Sequence, residues 1–269
     1  MSLRVDDWVE EGRRTIEAFI ERNAALAAEP LAVVLGGSAV TPYADAFSGL
    51  DFFVFGFGAQ GERWKDGRVH RARAAGRRFH YRLCDWEAFE RQLAELDDDA
   101  LYLRRFGRVC YDPHGLLRDR WERPHVVPPE AWLRKAEERF HELRRRQASL
   151  AWAIRRGQAF LVCDNLLQIL THALAVAVLL DRDPVPPRKW LMQAAFRTPA
   201  GRRLRPLALE LFERMGDLVS LGGALQPRQN RLYGLAQDIQ ETVAQALAAA
   251  GADVALAAVP AGEEEEERL

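Results

Sequence analysis

Gly36, Gly37 and Ser38 have the types and spacing to hold an anion. Two of them carry no Cβ, so the backbone can come close to a phosphate. A helix starting near Ser38 would aim its free N–H groups and the positive end of its dipole at the same anion, and the serine hydroxyl would add a donor. Farther along, Asn165, Gln168 and His172 interrupt an apolar stretch that also holds Asp164. On a helix, Gln168 and His172 are i,i+4 neighbours, and with Asn165 they form a polar seam that either lines a pocket or is satisfied within the core. The histidines show no metal-ligand spacing, and the three cysteines, Cys84, Cys110 and Cys163, suggest neither a disulfide framework nor a zinc knuckle.

The elements that must position the glycine turn flank it. Residues 31–35, LAVVL, are an apolar, β-branched run between Pro30 and Gly36, which predicts a buried strand. A second run, DFFVF at 51–55, ends at Gly56. Between Ser38 and Gly49 lie ten residues, among them Asp45 in a polar loop. Residues 79–84 predict a third strand, with His80 and Arg82 on one face and no acid before Asp85.

This spacing, a Gly-Ser pair, ten residues, then a short acid-bearing strand, resembles the signature of the polymerase-beta-like nucleotidyltransferases. In that family the strand carries Asp-x-Asp, and a third carboxylate comes from the neighbouring strand. Here Gly49 stands in the first position and Asp51 in the second. Residues 181–190, DRDPVPPRKW, look like the Asn-Arg-x-x-x-Pro-x-x-Lys-Trp loop of the aminoglycoside-nucleotidyltransferase-like branch, with Asp181 in place of Asn. The resemblance implies a magnesium-dependent transfer of a nucleoside monophosphate from a nucleoside triphosphate, most simply ATP, to a small hydroxyl-bearing acceptor. It makes Asp51 the catalytic and Mg²⁺-binding carboxylate, and Gly36, Gly37, Ser38 and Lys189 the nucleotide-binding residues. The alternative is a catalytically inactive relative that binds a nucleotide or a protein.

The fold expected is α+β: a small mixed-sheet nucleotidyltransferase-like domain over residues 1–125, an all-α helical bundle over 126–255, and an acidic tail over 256–269. Amphipathic periodicity predicts a helix over 6–28, another follows Asp85 as its N-cap, and 129–156 and 160–180 predict long bundle helices. The Asp-Gly pair at 66–67 predicts a turn. The 38 basic and 39 acidic residues leave a net charge of −1, which argues against nucleic acid as the partner. The 160–180 stretch is interrupted by polar residues, so the sequence predicts a cytoplasmic protein without a membrane span. Only Lys65, Lys135 and Lys189 are lysines, so the basic charge is almost wholly arginine.

Overall fold

A computed structural model describes residues 4–45, 47–57, 64, 67–215 and 226–253. The chain forms two compact units, residues 1–126 and 127–269. In the first, α1 (Val5–Glu21) turns Trp8, Gly12, Ile16 and Ile20 inward at helical spacing. The interior strand β1 (Leu31–Gly36) is buried at all six positions, because β2 (Leu50–Gly56) and β5 (Arg108–Tyr111) flank it and both its faces are covered. The sheet runs β3-β4-β2-β1-β5, with β3 (His70–Ala74) and β4 (Arg77–Asp85) forming an edge hairpin. Strand β1 is antiparallel to β2 and β5, while β2 and β4 are parallel, so the sheet is mixed.

Side-chain alternation gives the sheet two different faces. Leu31, Val33, Leu35, Phe52, Val54 and Phe79 share one core cluster with Ile16 and Ile20 of α1. On the other face, Phe55 packs against Trp86, Phe89 and Trp121. Those three rings come from α3 (Trp86–Ala94) and α5 (Arg118–Glu122); α4 (Asp98–Phe106) lies between these helices in the chain. Asp85 caps α3 as expected, accepting the Ala88 N–H at 2.7 Å.

Strand β3 is absent from the sequence expectation, since HRARA lacks the β-branched and apolar residues that mark a strand. Its turn is Ala75-Gly76, with φ of 46° and 77°, the two positive values that a tight hairpin demands. The turn predicted at Asp66-Gly67 lies partly outside the described residues. The segment after α1 breaks at Arg22 and resumes as the short α2 (Ala24–Ala27), so the helix expected over 6–28 is two pieces.

The elements of the second unit among the described residues are all helices. Helices α6 (Pro129–Arg155) and α7 (Ala159–Leu180) form a long hairpin turned at Gly157, where φ is 63°. Then come α8 (Arg188–Ala195), α9 (Pro199–Arg214) and α10 (Arg231–Ala249). Helix α7 is long and apolar enough to cross a membrane by length and composition alone. Its run from Ala173 to Leu179 is instead buried, packed among α6, α8, α9 and α10. The acidic tail lies outside the described residues.

The polar seam on α7 divides. Asn165 is buried and donates its amide to the Leu161 carbonyl at 2.8 Å, within its own helix. His172 is half-buried, and burial lowers its pKa from 6.5; Arg139 and Arg146 of α6 and Arg188 of α8 lower it further against an opposing pull from Glu142. The folded unit therefore favours neutral imidazole, and protonation couples to unfolding. This contribution to stability is full above pH 6.5 and is lost as the pH falls through the lower folded-state value. Urea midpoints measured between about pH 5 and 7 should fall with acidification, and His172→Gln should flatten that slope.

Candidate functional site

The glycine turn sits where β1 ends. Gly37 has φ 70° and ψ −161°, a region open almost only to glycine. The helix expected at Ser38 is a single 3-10 turn, Ser38–Val40. It stops because Thr41 precedes Pro42, which excludes helical backbone at 41, and Thr41 adopts φ −111° and ψ 164°. Its N–H and Oγ1 both donate to the Ser38 carbonyl. Three residues make no helix dipole of consequence, and Ser38 itself is buried.

The space beside both glycines is already used. A Cβ on Gly36 would fall 2.7 Å from the Phe53 ring and 2.9 Å from Leu103. On Gly37 it would fall 2.2 Å from Oδ2 of Asp51. The turn thus allows the Asp51 carboxylate to lie directly against the backbone. Asp45 does not join it: its carboxylate accepts the Phe47 N–H and the Ser48 hydroxyl within the loop.

Pairing then sets a row across four strands. Gly36 faces Asp51, Asp51 faces His80, and His80 faces Arg71. His80 Nδ1 lies 3.3 Å from Asp51 Oδ1, both side chains being partly exposed. Alternation adds Phe53 and Arg82 on the same face, with the Arg82 guanidinium 5.7 Å from the Phe53 centroid. Arg73 and Arg78, paired across the hairpin, point the same way. Among the described strand residues, the face turned away from α1 therefore holds one carboxylate, one imidazole and four arginines.

This donor set does not fit Mg²⁺. The cation wants several hard oxygen ligands, whereas the described residues contain no group of three His, Cys, Asp or Glu side chains that could hold a metal ion. Position 49, two residues before Asp51 and so on its side of the strand, carries no side chain, and a Cβ there would meet nothing within 4 Å. His80 occupies the place beside Asp51 where the sequence resemblance puts a third acid.

Of the residues singled out from sequence, Gly36, Gly37, Ser38 and Asp51 come together in the first unit. Lys189 belongs to the second, on α8, with its ammonium 5.6 Å from the Trp190 ring centroid. The contact of His80 with Asp51 and the contribution of Arg71 and Arg73 were missed. The alternating Arg-x-Arg followed by Ala-Gly-Arg-Arg at 71–78 was the available signal for the second. Gly37→Ala should cost about 3 kcal/mol in denaturant unfolding, through backbone strain and overlap with Asp51. Adding Asp51→Gly should recover the overlap part, giving a double-mutant coupling of about 1 kcal/mol or more.

Compared with models of known protein families, the sequence matches none, and no curated protein matches it. Among solved structures it is similar to a nucleotidyltransferase-like protein from Exiguobacterium sibiricum at 15% identity and a TM-score of 0.47, the alignment covering 88% of this chain and 74% of that one.

Proposed function

We propose that this chain is a nucleotidyltransferase-like protein that binds the phosphates of a nucleoside triphosphate on the Asp51–His80 face and has given up metal-dependent transfer. The observation that carries the reading is the charge on that face: among the described strand residues Asp51 is its single carboxylate, beside Arg71, Arg73, Arg78 and Arg82. Guanidinium groups bind phosphate oxygens in pairs and supply the positive charge that a metal would otherwise bring. Asp51 holds one ring nitrogen of His80 and so orients the imidazole, leaving the other nitrogen for the ligand. The Gly-Ser spacing supports descent from the nucleotidyltransferases, and the loop at 181–190 supports the aminoglycoside-nucleotidyltransferase-like branch.

The competing reading is an active enzyme that uses Mg²⁺ and ATP to modify a small hydroxyl-bearing acceptor. It requires at least a second carboxylate on this face, and Gly49 and His80 occupy the two positions that would supply one.

Titration calorimetry with ATP, in EDTA and in excess Mg²⁺, tests the choice. ATP should bind in EDTA, and Mg²⁺ should leave the affinity equal or weaker by neutralising the phosphates. Arg71→Ala with Arg82→Ala should weaken binding by about tenfold or more, corresponding to at least 1.4 kcal/mol. Asp51→Asn should bind as well as the parent or better. Binding seen only with Mg²⁺ and lost in Asp51→Asn would establish the active enzyme instead.

A further inference from the structure

At the other end of the sheet, the first unit contains a cavity of about 620 Å³ that the Asp51 face does not use. It lies against Trp86, which follows the Gly56–Asp85 pair, five residues along β2 and β4 from Asp51 and His80. At strand rise this is about 16 Å away. We propose that this cavity is a binding site for a small organic phosphate monoester carrying a flat ring. The assignment does not depend on the function proposed for the Asp51 face.

Charge is the first argument. Arg104, Arg120 and Arg123 line the cavity, opposed by Glu90 alone. None of the three arginines has a carboxylate partner among the described residues. His125, also at the wall, has its pKa lowered from 6.5 by burial and by the neighbouring Arg104 charge. The surplus of two positive charges matches a phosphate monoester, which carries close to two negative charges at neutral pH.

Preorganisation is the second. Arg104 donates to the carbonyl oxygens of Arg120 and Arg123 and stacks 4.9 Å from the Trp121 centroid, which pins the 120–123 segment. The start of that segment is fixed by Asp112, whose carboxylate accepts the N–H groups of Leu116, Leu117 and Arg118. The Arg120 guanidinium lies 5.7 Å from the centroids of both Phe57 and Trp86. Aromatic faces thus hold its position while its N–H donors stay unpaired by acids.

An unpartnered donor is the third. Trp86 is only 5% exposed, and its indole Nε1 has no hydrogen-bond partner among the described residues. A buried N–H without an acceptor is costly, and it lies in a side chain that also forms part of the cavity wall. The rest of the wall is apolar: Leu93, Ala94, Pro124 and the Trp86 ring itself. That surface suits a ring, and the volume suits a ligand of nucleotide size.

Calorimetry on the full chain in EDTA, with AMP as the probe, tests the site. Saturable binding is expected, with adenosine and inorganic phosphate each about tenfold weaker or worse because each lacks half the ligand. Arg120→Gln with Arg123→Ala should weaken AMP by about tenfold or more. Ala94→Trp, a change at an exposed position on the cavity wall, should abolish binding without altering the thermal midpoint. Arg82→Ala, on the distant face, should leave AMP affinity unchanged. No AMP binding at about 1 mM would overturn the proposal. So would binding that survives Ala94→Trp and disappears in Arg82→Ala, which would assign AMP to the Asp51 face.

Discussion

The Asp51 carboxylate rests on the backbone of Gly37, and much of the first unit follows from that contact. It requires a residue with no Cβ at 37 in a conformation that other residues avoid. That conformation ends β1, starts the 3-10 turn and fixes which residue of β2 stands opposite Gly36. A slip of one residue would carry Asp51 into the cluster around Ile16 and Ile20 and turn Phe52 out of it. The register is therefore held from two sides: by the apolar pattern on one face and by the glycine–carboxylate contact on the other. Parallel pairing of β4 then brings His80 to Asp51 without further specification.

The Asp51–His80 pair is partly exposed, and such a pair contributes no more than about 1 kcal/mol to folding. Its consequence is positional. An aspartate alone among arginines would be drawn to whichever guanidinium lay nearest; in contact with His80 and packed on Gly37, it is committed. The arginines keep their charge for something else. A divalent cation is a poor candidate, since it would meet four positive side chains and one carboxylate that already has a partner. An anion meets the reverse situation.

What could be read in the sequence were the elements whose pattern is local. The apolar runs at 31–35 and 51–55 became β1 and β2, the 79–84 run became β4, and the two long helices appeared within a few residues of their expected bounds. Strand β3 was hidden because its stability comes from pairing with β4 and not from its own residues, which read as a basic surface run. The helix expected at Ser38 yielded to Pro42, a local signal that the glycine pattern outweighed. His80 was placed on the correct strand, yet its partner lies 29 residues away, and no local pattern states a register. The cavity is further from view still, being lined by residues from 86 to 125 brought together only by α3, α4 and α5.

The near-neutral total conceals a division in how arginine is used. On exposed helices, arginines pair with carboxylates one turn away, as Arg13 does with Glu10 and Glu17, Arg145 with Glu142, and Arg214 with Glu210. Around the sheet of the first unit, Arg77 pairs with Glu11 of α1, while three others are held by rings and carbonyls: Arg82 by Phe53, Arg104 by Trp121 and two backbone oxygens, Arg120 by Phe57 and Trp86. A planar guanidinium can stack on a ring and still present its edge donors, which an ammonium cannot do. Such support fixes the cation in place without cancelling its charge. Each end of the same sheet thus carries an arginine held on aromatic surface with no carboxylate partner among the described residues, Arg82 at one and Arg120 at the other. The two proposals therefore share one physical requirement, an anionic ligand whose charge is met by side chains already in place.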